Sequence, residues 1–338
     1  MSSTCLHITN GDATADLLKA SSVSGDILPW RDTMHQGPFP HGLDLDQVSK
    51  IRAQYFSGSD MPFDDVMRDF SSRNAKLRTA PQYDKIILWF EHDLLDQLQL
   101  LQILDWFHST DFDLEKLSII CVDRFEGIDH FRGLGELDPQ QISTLLPTAL
   151  PVTAQHLTLA REGCKAFRSP DPHDLMSFLN GPLDVLPFLK VALVRHMQEF
   201  PWVIDGLTRM ERQLLELVGS GVCEPKKLFQ QSMMLEAVYF MGDWTVFSQV
   251  ATLCSGKTPL LKTKSSNAFI HPRDITGGLN EFAEQRLQLT DEGRQVLSGE
   301  MNAGTAIDRD TYLGGVLIKS DQPMWMWDDQ LQICSLNS

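Results

Sequence analysis

The stretch Lys85-Ile86-Ile87-Leu88-Trp89-Phe90, followed at once by Glu91-His92-Asp93, constrains this chain most. A run this short and almost wholly apolar suits a strand covered on both faces. An unpaired buried charge is very costly. The three ionisable residues after the run must therefore be solvated or paired. A strand buried on both sides belongs to a parallel sheet with helices above and below it.

The neighbouring sequence repeats the pattern. Cys5–Thr9 is a short apolar run broken by Asn10-Gly11-Asp12, and residues 13–20 have helical character, with Asp12 placed to cap them. Residues 26–30 form a second candidate strand, ending in a Gly- and Pro-rich loop over 31–42. A polar helical stretch is expected over 45–77. After the 85–90 strand comes a helix over 94–107, then a buried strand at Leu117–Val122 followed by Asp123-Arg124. Strand, turn and helix alternating in this way predict a Rossmann-like α/β domain over residues 1–150.

The remainder has a different rhythm. Residues 151–205 read as a helical connector. Residues 206–338 read as a winged helix-turn-helix-like domain with a β tail. Its helices are expected at 209–218, 225–235, 244–253 and 290–299, with a ribbon at 262–272 and 286–289 and a wing at 274–280. The tail is expected to hold two strands, over 312–318 and 324–328. A length of 338 residues fits about two domains.

Composition excludes some function classes. The formal net charge is −16, and residues 1–150 hold 12 basic against 23 acidic side chains. Such a balance argues against a general binder of phosphate backbones, so nucleic acid is not expected as a partner. The third helix of the winged segment, over 243–250, has no Arg or Lys, although Lys257, Lys262 and Lys264 lie near it. Packing against a protein partner or a second subunit is the expected use of that segment. No apolar run reaches the roughly 20 residues that span a bilayer, and no secretory leader is visible, so no membrane role and a cytoplasmic location are expected. The six cysteines are scattered, with no C-x-x-C pair, and are read as reduced thiols.

In an open parallel sheet, ligands bind beyond the carboxyl ends of the strands. The candidate site therefore collects the polar residues that follow each strand. His92, His35, Glu91 and Asp93 are the catalytic candidates, since imidazoles and carboxylates supply general acids and bases. Asn10, Gly11, Asp12, Arg31, Asp32, Asp96, Gln97 and Arg124 are the ligand-binding candidates, the two arginines as clamps for an anionic group. Carboxylates and imidazoles together also make a divalent metal ion a candidate cofactor. Other signals fail. Ser255-Gly256-Lys257-Thr258 has Ala251 where a phosphate-binding loop needs glycine, and Gly133-Leu134-Gly135 lacks the context of a dinucleotide loop. The expectation is an enzyme of hydrolysis or group transfer on a nucleotide-like or phosphorylated small molecule. The alternative is a ligand-sensing regulatory or interaction protein whose winged helix binds a partner or DNA.

Three stretches combine into a recognisable pattern: residues 7–12 (HITNGD), 30–38 (WRDTMHQGP) and 88–98 (LWFEHDLLDQL). It extends through 167–172 (FRSPDP), Leu186-Pro187-Phe188-Leu189 with Arg195-His196, 207–212 (LTRMER), 289–294 (LTDEGR) and Leu313-Gly314-Gly315-Val316. In this combination the chain resembles the bacterial family called domain of unknown function 1835, over most of its length. Where that pattern would read Asp-Arg-Trp-Leu-Gly-Gly, this chain has Asp308-Arg309-Asp310-Thr311-Tyr312-Leu313. The resemblance implies a family and assigns no activity to any residue.

Overall fold

Buried strands cannot leave their amides unpaired, so the apolar runs near the N-terminus must find one another in a sheet. The computed structural model describes residues 4–58, 61–265, 268–270 and 285–337. In it, β1 (Cys5–Thr9), β2 (Asp26–Pro29), β3 (Lys85–Glu91), β4 (Leu117–Val122) and the two-residue β5 (Leu150–Pro151) form one sheet in the order β2-β1-β3-β4-β5. The first four strands are parallel and β5 is antiparallel. The molecule is thus mixed α/β, with a mostly parallel five-stranded sheet.

The order 2-1-3-4 has a consequence for function. The chain leaves β1 toward β2, then crosses back to place β3 on the other side of β1. The connections therefore diverge between β1 and β3, and a crevice opens outside their carboxyl ends. Register fixes what reaches it: Thr9 pairs with Trp89, so Asn10 lies beside the end of β3, where Glu91 is the last residue.

Packing follows the pleat. Ile87 and Trp89 enter a core cluster with Leu18 of α1 (Asp12–Ala20) and Ile142 of α5 (Pro139–Thr144). Ile86, Leu88 and Phe90, which alternate with them, are also fully buried. Between these two helices come α2 (Leu45–Phe56), α3 (Phe63–Arg78) and α4 (Leu94–His108). The 45–77 stretch, expected to be helical, forms two helices. The break contains Gly58 and ends at Pro62, whose missing amide suits the start of a helix better than its interior. Asp44 and Gln47 close a capping box at the start of α2.

By the density of its internal contacts, the chain forms two units. The first comprises residues 1–193 with Gly314–Val316. Part of the 151–205 segment belongs to it, because α6 (Ala154–Phe167) packs along α4 and α7 (Pro172–Leu179) packs on α6. The second unit begins within α8 (Leu189–Met197). It contains α9 (Arg209–Gly219), α10 (Pro225–Met234), α11 (Asp243–Leu253) and α12 (Asp291–Ser298), with β6 (Leu261–Thr263) antiparallel to β7 (Leu287–Leu289). The wing expected at 274–280 lies outside the described residues. Inside this unit Arg309 donates to both carboxylate oxygens of buried Glu211 and to the carbonyl of Gly206.

The tail also departs from expectation. The 312–318 run is not one strand but a hairpin of β8 (Asp310–Leu313) and β9 (Val316–Lys319), and β10 (Met324–Asp328) pairs with β11 (Ile333–Asn337). Gly314 turns with φ +61°, and a Cβ there would lie 2.3 Å from the carbonyl oxygen of Phe167. Only glycine permits both the left-handed turn and that approach.

Candidate active site

Glu91 ends β3, and Asp93 caps α4, its Oδ1 accepting the Asp96 amide at 2.9 Å. One turn into the helix, Asp96 points back: its Oδ1 accepts the Glu91 amide at 3.1 Å. Ligand oxygens of Glu91, Asp93 and Asp96 all lie within 4.8 Å of one another. All three side chains are buried. The Asn10 amide, delivered by β1, donates to Glu91 Oε1 and to Asp96 Oδ2, at 3.0 Å each. The Leu134 amide donates to Glu91 Oε1 at 2.6 Å. Gln97 ties the strand ends, donating to the Glu91 carbonyl at 2.7 Å and lying 3.4 Å from Cys121 Sγ.

Three carboxyls in so little water cannot all ionise freely. Burial, reinforced by the charge of Asp93, pushes Glu91 up to about 8. Burial pushes Asp93 up to about 7 and holds Asp96 well above the usual range. The cluster therefore keeps protons near neutral pH. A hard divalent cation suits such an all-oxygen donor set, and would discharge it by displacing those protons.

The sign of the pH effect follows. These acids bind protons more tightly in the fold than in the unfolded chain, so their stabilising contribution is complete below the ordinary carboxyl range and is lost as pH rises through about 7 to 8. The melting temperature of the metal-free protein is expected to fall between about pH 5 and pH 9, and added Mn²⁺ to flatten that fall. Calorimetric scans with and without the ion check this. A flat metal-free profile would mean the three groups ionise normally.

Beside the cluster lies a cavity of about 490 Å³, lined by Asn10, Asp12, Trp30, Arg31, Asp32 and Arg73 among others. Asn10 thus faces both the cavity and the carboxylates. Asp12 and Arg31 form a surface ion pair at 2.6 Å on the cavity wall, both more than half exposed. Asp32 is buried deeper, with Oδ1 gripped by Arg52 at 2.7 and 3.0 Å.

Other sequence-derived candidates stand apart from this group. The His92 ring packs edge-on against Phe188 and hydrogen-bonds the Val122 backbone. It is held below the ordinary histidine range by burial. His35 is buried within the 31–42 loop, its Nε2 3.4 Å from the Gln36 amide nitrogen. Neither imidazole lines the cavity. Gly11 accepts from the Thr9 hydroxyl and stands at the start of α1. Arg124 pairs with adjacent Asp123 at 3.1 Å and is almost fully exposed.

Three contributors escaped the sequence reading. Gly133 and Leu134 bring a loop against Glu91, and their Gly-Leu-Gly run carries no dinucleotide-binding signal in the sequence. Arg73 stacks over Trp30, its Cζ 4.1 Å from the ring centroid, and over Phe70 at 4.6 Å. Gln99 donates to the Asp32 carbonyl at 3.0 Å. A signal existed for the last: α4 is largely apolar yet buries Asp96, Gln97, Gln99 and Gln102.

No protein-family model matches the chain, and no curated protein matches it. Solved structures do. One is the crystal structure of the Plasmodium falciparum topoisomerase II DNA-binding, cleavage and re-ligation domain. It is 10% identical, with a TM-score of 0.50, over 99% of this chain and 54% of that one. The chain thus spans about half of that structure's length, and the likeness is one of fold. It nevertheless corrects one expectation: nucleic acid cannot be set aside as a partner when a chain named for DNA binding shares this fold. Net charge sums the whole surface, whereas binding depends on the local field. Among the described residues, no helix is long and apolar enough to cross a membrane.

Proposed function

We propose that this protein is an enzyme of hydrolysis or group transfer on a nucleotide-like or phosphorylated small molecule. Its working groups are Glu91, Asp93 and Asp96, holding one divalent cation. The observation that carries this reading is the meeting of three buried carboxylates at the β1–β3 crevice, beside a cavity that shares Asn10 with them. The cation would polarise a phosphoryl oxygen. In hydrolysis a water would attack phosphorus, its proton would pass to a carboxylate, and the bond from phosphorus to the leaving oxygen would break. The acid–base role expected of His92 and His35 falls to the carboxylates instead.

The test is phosphate or nucleotide release from a panel of nucleoside phosphates and phosphodiesters, with and without Mn²⁺. Turnover that needs the metal and is lost in Asp93→Asn supports the proposal. Turnover indifferent to both sinks it.

The same reading takes the sheet unit as Rossmann-like and α9, α10, α11 with β6 and β7 as a winged helix-turn-helix. It places the chain in the domain of unknown function 1835 family and in the cytoplasm. A second reading, a regulatory or interaction protein that engages DNA, is favoured by the topoisomerase II neighbour. A mobility shift of DNA that weakens with salt, without metal-dependent turnover, would select it.

A further inference from the structure

The β6–β7 ribbon of the second unit has two unlike faces. Strand residues alternate sides, so Leu261, Thr263, Leu287 and Leu289 turn one way and Lys262 and Gln288 the other. β7 packs on α9, and Leu261, Thr263 and Leu287 are buried. The pairing continues one step beyond the strands, where the Lys264 amide donates to the Arg286 carbonyl at 2.7 Å. Residues paired across an antiparallel ladder share a face. Lys262, Lys264, Arg286 and Gln288 therefore form the outward face. Its charged residues are all cations, and each is exposed.

More cations border it. The Leu287 amide donates to the Cys223 carbonyl at 2.8 Å, which sets β7 beside the start of α10. There Lys227 reaches Glu224 at 3.1 Å, Arg286 reaches the same carboxylate at 3.7 Å, and Lys226 is exposed. At the start of α12, Arg294 pairs with Asp291 at 2.5 Å. That bond, with the field of Lys262, holds the Asp291 carboxyl below its usual range. Lys226, Lys227, Lys262, Lys264, Arg286 and Arg294 thus stand against Glu224, Asp291 and Glu292, in a chain where 45 acidic residues outnumber 29 basic ones.

The chemistry of this face selects its partner. A stable protein interface needs an apolar centre. Single nucleic-acid strands are held by aromatic side chains on which bases stack. Residues 261–264 and 286–289 turn neither kind of group outward. They offer long solvated cations, spaced roughly 7 Å apart along β6, which suits the repeated phosphates of a duplex. α11 has no Arg or Lys with which to read base edges.

We infer that the outward face of the β6–β7 ribbon, with the start of α10, binds the phosphate backbone of duplex DNA without regard to sequence. This rests on the second reading above and gives it a contact surface. It makes no use of the carboxylate cluster.

The experiment uses the full chain with EDTA, so that no divalent cation takes part. Fluorescence anisotropy compares short labelled duplexes of unrelated sequence with their single strands over a range of salt. All duplexes are expected to bind alike, with a Kd of about 1–100 μM at physiological salt, and affinity is expected to fall linearly with salt on logarithmic axes. Lys262→Glu with Lys264→Glu is expected to weaken binding at least about tenfold and to make the salt slope shallower by roughly 2. Lys19→Glu with Lys50→Glu makes the same change in net charge on exposed helical positions of the first unit. It is expected to bind within about twofold of the native chain, because screening confines each charge to its neighbourhood. Circular dichroism checks that both double variants fold. No binding to any duplex overturns the inference and the second reading together. Binding that survives the ribbon change, falls equally in the control, prefers single strands or picks out one sequence overturns the inference alone. Metal-dependent turnover, measured separately, is moved by none of these outcomes.

Discussion

Asp93→Asn is expected to weaken Mn²⁺ binding by at least about a hundredfold while leaving the metal-free protein as stable as before, or more so. Even outer-shell changes at metal sites cost about 10- to 100-fold, and a direct ligand should cost no less. The stability half of the prediction comes from two local facts. Asparagine caps a helix as well as aspartate, so the bond to the Asp96 amide is kept. The substitution also removes one of three mutually repelling buried carboxyls. Function and stability should therefore move in opposite directions, as at sites where a fold tolerates strain for chemistry. Titration calorimetry at about pH 8.5 and thermal melts measure the two halves. If the native chain binds no divalent ion, or the variant binds it equally well, the carboxylates are scaffolding.

Gly133→Ala is expected to destabilise the chain by roughly 1–3 kcal/mol and to displace the loop that touches Glu91. Gly133 has φ +157° and ψ 174°, a conformation that residues with a side chain rarely adopt. A Cβ there would lie 2.1 Å from Glu91 Oε2 and 2.6 Å from its Cδ. Either the loop retreats and Glu91 loses the Leu134 amide, or the carboxyl swings away from Asp96. Gly135→Ala, two residues on, is the control. Its Cβ would meet only Ala13 Cβ, at an ordinary 3.6 Å. Urea unfolding of the two variants should separate them clearly, and equal effects would show that the contact with Glu91 has no energetic weight.

Much of the site could be read from the chain because its residues are tied to strand ends. Asn10, Glu91, Asp93 and Asp96 follow from two apolar runs and one helix start, and parallel pairing of β1 with β3 brings them to one place. The histidines were not legible in the same way. A residue one step past a strand can turn to either side, and His92 turns toward Phe188. Arg124 shows the same limit, since nothing in its local sequence says that Asp123 will hold it at the surface.

The sequence by itself determined the alternation of buried strands and helices, and with it the edge of the sheet where polar residues gather. Periodicity and strand-end chemistry are short-range properties, written in neighbouring residues. Only the tertiary structure decided which of those residues share a crevice, that Gly133 closes over Glu91, and that Asp32, Arg73 and Gln99 line one cavity. Those outcomes depend on strand order and on contacts between residues tens of positions apart, where no local pattern carries the information.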